Sequence, residues 1–210
     1  MELQLALDTV TLEEGAAMLE GMRGVVDIIE VGTPMIMRYG VKAVEYYRRK
    51  FPDFKILADG KIMDGGAFEA GMLLEAGADI VTVLAAASDL TIKAVAETAK
   101  KYHACVMADL IEVKDYVTRA KEVRELGVDL VCVHNGSDIK NSGKLDYLKQ
   151  LREVNLAVGK EHTVMAGGVK PENIAEIVRE GAAVTVCGEY IVTHREPAAA
   201  AKTLKSYFSL

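Results

Sequence analysis

Apolar and polar positions alternate along the chain in blocks. Short runs rich in Val, Ile, Leu and Ala predict eight strands: Leu3 to Leu7, Val25 to Val31, Lys55 to Ala58, Ile80 to Leu84, Ala104 to Ala108, Leu130 to Val133, Thr163 to Ala166 and Val184 to Cys187. Between them apolar residues recur at helical spacing, as in Ile92, Val95, Ala96 and Ala99, or Ile174, Ile177 and Val178 after the helix-opening Pro171. Strand then helix, repeated to the end, is the pattern of a closed parallel (β/α)8 barrel, a TIM barrel in the α/β class. The nearly unbroken apolar character of the strands is what burial on both faces demands. An open doubly wound sheet alternates in the same way, but no Gly-x-Gly-x-x-Gly follows the first strand.

A weak internal repeat supports the barrel. Gly77-Ala78-Asp79-Ile80-Val81-Thr82-Val83 returns as Gly127-Val128-Asp129-Leu130-Val131-Cys132-Val133 and again as Gly181-Ala182-Ala183-Val184-Thr185-Val186-Cys187. Each glycine can end a helix in the left-handed conformation before a short turn into an apolar strand.

Composition narrows the picture. At 210 residues, half of them hydrophobic, one barrel domain over residues 1–210 accounts for the whole length, with Val, Ile, Leu, Met and Ala filling a core that has no Trp. A net charge of −6 argues against a broad nucleic-acid or anionic-membrane surface, though it would not reveal a local anion site built from backbone amides. Cys105, Cys132 and Cys187 each sit in an apolar run without any Cys-x-x-Cys pair, so they are expected to be reduced core residues rather than zinc ligands. The first residues read as a strand without a basic leader, and no apolar run reaches membrane-spanning length. A soluble cytoplasmic protein is expected.

Candidate chemistry gathers where barrel enzymes carry it, at the C-terminal ends of strands. Asp8 ends the first strand, Glu30 lies in the second, Asp59-Gly60-Lys61-Ile62-Met63-Asp64 ends the third, Asp109 the fifth and His134 the sixth. Any one carboxylate would serve as a helix cap; convergence on one mouth favours a site. Glu30 is the sharpest case, because a charge inside Ile28-Ile29-Glu30-Val31 requires a cation partner. Asp59 and Lys61 share one side of a strand end, with Asp64 placed just into the next helix. Glu30 and Asp59 suit Mg²⁺, which prefers hard oxygen ligands and keeps positions open for substrate, while Lys61 would face a developing oxyanion. His134 has the right chemistry for proton transfer, whereas His103, His162 and His194 read as surface residues. Gly167, Gly168 and Gly188, with Glu189 beside the last, mark the turns after the seventh and eighth strands, where barrels hold phosphate on backbone amides.

Taken together, Leu5-Ala6-Leu7-Asp8, Asp27-Ile28-Ile29-Glu30-Val31-Gly32-Thr33-Pro34, Asp59-x-Lys61-x-x-Asp64, Asp109-Leu110-Ile111, His134-x-Gly136 and Ala166-Gly167-Gly168-Val169 resemble the 3-hexulose-6-phosphate synthase family of orotidine-monophosphate-decarboxylase-like barrels. The resemblance spans essentially the whole chain. It implies a reversible, Mg²⁺-dependent aldol addition of formaldehyde to D-ribulose 5-phosphate, an aldehyde-lyase reaction through a 1,2-enediolate. It also implies Glu30 and Asp59 on the metal side, Lys61 and Asp8 around the enediolate, Asp109 among the catalytic residues and His134 moving the proton. In such homodimers Asp64 completes the neighbouring subunit's site. The related 3-keto-L-gulonate-6-phosphate decarboxylases share the motifs of the first three strands. They carry Glu, Arg and Thr where this chain has Asp109, Ser137 and Ala166. Two departures, Gly60 inside the third-strand signature and Glu189 beside the phosphate turn, motivate a further alternative, a sugar-phosphate-binding barrel without turnover. Ribulose-phosphate epimerases use several metal-binding histidines at strand ends, and only His134 qualifies here.

Overall fold

The computed structural model describes residues 1–138 and 146–209. Eight strands, β1 (Glu2–Leu7), β2 (Ile28–Val31), β3 (Lys55–Ile62), β4 (Ile80–Leu84), β5 (Cys105–Asp109), β6 (Leu130–His134), β7 (Thr163–Ala166) and β8 (Val184–Cys187), close into a barrel in sequential order. Every neighbouring pair is parallel, including β1 with β8. Around them run α1 (Leu12–Glu20), α2 (Thr33–Tyr39), α3 (Lys42–Lys50), α4 (Gly66–Glu75), α5 (Asp89–Lys101), α6 (Tyr116–Glu125), α7 (Tyr147–Val158), α8 (Pro171–Glu180), α9 (Glu189–Val192) and α10 (Pro197–Ser206). Among the described residues no helix is long and apolar enough to cross a membrane.

Strand alternation sorts the side chains into two cores. Outward residues such as Leu5, Ile29, Ala58, Val81 and Val131 pack under the helices, while Ile28, Leu57, Ile80, Met107, Cys132 and Val164 fill the barrel. Two positions further along five of these strands, and so on the same inward face, stand Glu30, Asp59, Thr82, Asp109 and His134. The barrel thus has an apolar floor beneath a polar mouth.

Strand bounds fall as expected for β4, β7 and β8. Val25 and Val26, expected in β2, instead form a turn in which both N–H groups donate to Met22 O. Strand β3 runs past Ala58 to Ile62 through an irregularity that matters below. Cys132 and Cys187 are buried thiols, but Cys105 is exposed, because it opens β5 at the uncovered N-terminal rim of the barrel.

The internal repeat has a physical basis. Asp27, Asp79 and Asp129 each precede an even-numbered strand. Each accepts, on a carboxylate oxygen, the N–H of the preceding odd strand: Leu3 at 2.7 Å, Ile56 at 2.7 Å and Val106 at 2.8 Å. Each also returns its own N–H to the carbonyl of that same residue. In the last unit Ala183 stands in the Asp position; it keeps the backbone bond to Thr163, whose own N–H is taken by Lys160 O in a 3-10 turn. Asp79 additionally pairs with Arg48, which bonds Gly77 O and Phe54 O. Asp79→Ala should therefore cost about 1–2 kcal/mol in urea denaturation, since it strips an acceptor from a strand N–H and a partner from Arg48. An unchanged denaturation midpoint would deny this clamp a role in stability.

Candidate active site

The centre of the site is the irregularity in β3. Ala58 pairs with Val81 and Ile62 with Val83, so the stretch from 58 to 62 lies against the shorter stretch from 81 to 83. Asp59 and Lys61 both project inward while Gly60 turns outward, where an added Cβ would meet Leu73 Cδ1 at 2.7 Å. Leu73 thus occupies the room that a side chain at position 60 would need, which accounts for glycine within this signature. Lys61 carries a left-handed backbone, φ 44°, uncommon for a residue with a Cβ.

A continuous polar line crosses the mouth from this bulge. Lys61 Nζ lies 2.5 Å from Asp59 Oδ2 and 3.6 Å from Asp109 Oδ2, and Asp109 Oδ2 lies 2.7 Å from His134 Nδ1. The other oxygen of Asp109 accepts the Ile111 N–H at 2.9 Å. Asp59 is further bonded by two hydroxyls, Thr33 to Oδ2 and Thr82 to Oδ1, each at 2.8 Å. Burial works against the Lys61 charge, but the carboxylates of Asp59 and Asp109 outweigh it and raise its pKa above the ordinary lysine value. Burial likewise pushes Asp109 up, and the bond from His134, the Lys61 ammonium and the Ile111 amide together bring it below the usual carboxylate range. An ionised Asp109 only accepts hydrogen bonds, so His134 carries its proton on Nδ1 and keeps Nε2 as its basic nitrogen.

Glu30 is buried beside this line, and its hydrogen-bond donor is not a cation but the amide of Gln4, at 2.7 Å. Burial first, and the neighbouring Asp59 charge second, push its carboxyl up to about 8. Without a metal ion the carboxyl is therefore biased toward its protonated form, which avoids a buried charge beside Asp59. Asp8 is half-buried against Gly32, whose missing side chain makes room for it. A Cβ on Gly32 would lie 2.0 Å from Asp8 Oδ1, and one on Gly188 would lie 3.6 Å from Asp8 Oδ2.

The glycine turns take up the other side of the mouth. Gly167 has φ 91°, and a Cβ there would stand 2.1 Å from Asn135 O, so only glycine fits. Gly168 has φ 72° and open space where a side chain would point. Asn173 folds this turn by accepting the Lys170 N–H and donating to Gly168 O. Gly188 leads directly into α9, of which Glu189 is the first residue. Asp64 lies before α4 rather than inside it, because Gly65 takes a left-handed conformation and delays the helix; the Asp64 carboxylate is exposed and accepts the Gly65 N–H at 2.7 Å. It stands apart from the Asp59–Lys61–Asp109–His134 line.

Two participants, Gln4 and Thr82, lie outside the motifs, and a third, Thr33, lies within the second-strand motif but had no role assigned to it. Gln4 and Thr82 each leave a trace, as single polar residues inside apolar strand runs. Thr33 opens α2 with its hydroxyl turned onto Asp59.

The profile of the orotidine 5'-phosphate decarboxylase / HUMPS family matches residues 1–204. The chain is 40% identical over 205 residues to the 3-hexulose-6-phosphate synthase of Bacillus subtilis (strain 168), covering 98% of this chain and 97% of that protein. Its fold superimposes on the crystal structure of 3-hexulose-6-phosphate synthase from Salmonella typhimurium with a TM-score of 0.95, 36% identity, and coverage of 100% and 99% of the two chains. A 3-keto-L-gulonate-6-phosphate decarboxylase from Vibrio cholerae is more distant, with a TM-score of 0.86 and 28% identity over 99% of this chain and 97% of that one. A barrel with this mouth, matched along nearly its whole length, makes the chain a member of the orotidine 5'-phosphate decarboxylase / HUMPS family.

Proposed function

We propose that this enzyme catalyses the reversible, Mg²⁺-dependent aldol addition of formaldehyde to D-ribulose 5-phosphate, giving 3-hexulose 6-phosphate through a 1,2-enediolate. The observation that carries the reading is the Asp59–Lys61–Asp109–His134 line, which joins a fixed cation to an imidazole held through its Nδ1 by Asp109. In this reading His134 Nε2 takes a proton from C1 of the pentulose and Asp109 stabilises the resulting imidazolium. The Lys61 ammonium faces the enediolate oxygens, with Asp8 on their other side. C1 then forms the new carbon–carbon bond to formaldehyde, and the proton is returned to the former aldehyde oxygen. Charge stabilisation of this kind makes deprotonation beside a carbonyl feasible near neutral pH.

The donor set suits Mg²⁺. Glu30 and Asp59 are hard oxygen donors whose charges repel each other, and a divalent cation would relieve that repulsion and take the place of the Glu30 proton. Among the described residues no group of three or more His, Cys, Asp or Glu could hold a metal ion by itself, so substrate oxygens and water would have to complete the coordination. When bound, the ion would supply Lewis-acid polarisation of the pentulose carbonyl. Formaldehyde offers almost no surface, so the binding energy must come from the phosphate end, for which the Gly167–Gly168 and Gly188–Glu189 turns are the proposed seat.

The partner is a second copy of this chain. Met63, Phe68 and Met72 lie exposed beside Asp64, with Phe68 75% accessible, and a homodimer formed over them lets the partner subunit's Asp64 complete each site.

The test is to incubate the purified protein with ribulose 5-phosphate and Mg²⁺, with and without formaldehyde, and to follow formaldehyde loss and hydrogen exchange at C1. Metal-dependent loss is the expected result. Exchange without loss would move the assignment to the decarboxylase reaction, and neither signal would leave a binding barrel without turnover.

A further inference from the structure

We infer that Thr82, on β4, is a positioning residue for Lys61, holding the ammonium in register through the β3 bulge. The inference rests on the proposed role of Lys61 at the enediolate. Thr82 is 3% exposed and is the one residue of β4 that faces the stretch between the pairs Ala58–Val81 and Ile62–Val83. Its hydroxyl works in both directions. It accepts the backbone N–H of Lys61 at 2.9 Å and donates to Asp59 Oδ1 at 2.8 Å. One oxygen thereby ties the two inward residues of the bulge to the opposite strand.

The backbone it secures is the one most in need of securing. Lys61 has φ 44°, and its N–H has lost the regular ladder partner that a parallel pair would give it. Asp59, the nearer of the two carboxylates to the Lys61 ammonium, is oriented by the same hydroxyl. Freeing the bulge would let the ammonium drift while leaving the glycine turns, the proposed seat of the phosphate, untouched. The rest of β4 is Ile80, Val81, Val83 and Leu84, so shape alone would be met by valine at this position. The hydroxyl is what distinguishes Thr82 from its neighbours.

The test compares Thr82→Val with Thr82→Ser. Both variants should fold, which melting curves check. Thr82→Val should lower kcat by about 10²-fold, the scale of an ångström-level misplacement of a catalytic group, with KM for ribulose 5-phosphate within about twofold of wild type. Hydrogen exchange at C1 should fall by the same factor as aldol turnover, and Thr82→Ser should recover most of both. In the resting protein the Lys61 backbone amide should exchange with deuterium faster in Thr82→Val and at the wild-type rate in Thr82→Ser. Full activity in Thr82→Val, or equal damage in Thr82→Ser, would overturn the inference. So would a loss of Mg²⁺ affinity by calorimetry as large as the loss in kcat, since the hydroxyl would then act through Asp59 on the metal. Loss of Lys61 amide protection in Thr82→Val, alongside a wild type that turns nothing over, would keep the clamp and reject the proposed reaction.

Discussion

Lys61→Met is expected to lower kcat for formaldehyde consumption by at least about 10³-fold, with a much smaller change in KM for ribulose 5-phosphate. The ammonium is the only side-chain cation in contact with both Asp59 and Asp109 among the described residues. Methionine keeps the length and packing of the side chain but offers no charge to the enediolate. The variant also tests subunit cooperation. In the proposed homodimer, Lys61→Met and Asp64→Ala enzymes, each nearly inactive, should regain activity when mixed and allowed to exchange subunits. Every mixed dimer then contains one site with both native residues, which at random pairing predicts about a quarter of wild-type activity. No recovery, with subunit exchange verified by mass, would place Asp64 in its own subunit's site. A Lys61→Met enzyme within tenfold of wild type would remove the lysine from the chemistry altogether.

Burial on both faces forces parallel strands into apolar runs, and that is why β4, β7 and β8 were legible to the residue. The polar residues at or near the ends of the other strand runs marked Asp8, Glu30, Asp59, Asp109 and His134 as candidates, because an inward charge has few structural uses. The bulge was not legible. Asp59 and Lys61 face inward in a regular strand and in a bulged one alike, since two extra residues preserve the alternation. For the same reason Thr82 passed as an ordinary strand threonine; its role depends on standing opposite the bulge, which no pattern in its own strand reveals. Asp64 was expected just inside α4 but lies before Gly65, which adopts φ 59° and postpones the helix to Gly66. Cys105 shared the apolar surroundings of the other cysteines yet is exposed, because hydropathy marks a strand but not which end of it the helices leave open.

Glu30 presents the second large effect, in stability rather than turnover. Its carboxyl is pushed from 4.5 up to about 8 by burial and by the Asp59 charge, with the Gln4 bond opposing. Below pH about 4.5 the folded and unfolded chains both hold the proton, so ionisation costs nothing. Between there and pH about 8 the unfolded chain releases its proton while the folded one retains it, so stability falls as pH rises, by at most about 1.4 kcal/mol per unit. Above the folded value the whole penalty is in place. Glu30→Gln keeps an amide-compatible partner for Gln4 and does not titrate. Urea denaturation in the absence of metal should therefore find the variant close to wild type near pH 4.5 and more stable by about 2 kcal/mol or more at pH 8. Added Mg²⁺ should reverse the order at pH 8, because the native carboxylate gains a cation and the variant does not. A gap independent of pH would show that Glu30 is ionised in the folded protein, and equal stabilisation of both by Mg²⁺ would take Glu30 out of the metal site. The combination expected here, a residue that weakens the empty barrel and strengthens the loaded one, is the signature of a carboxylate kept for its ligand rather than for the fold.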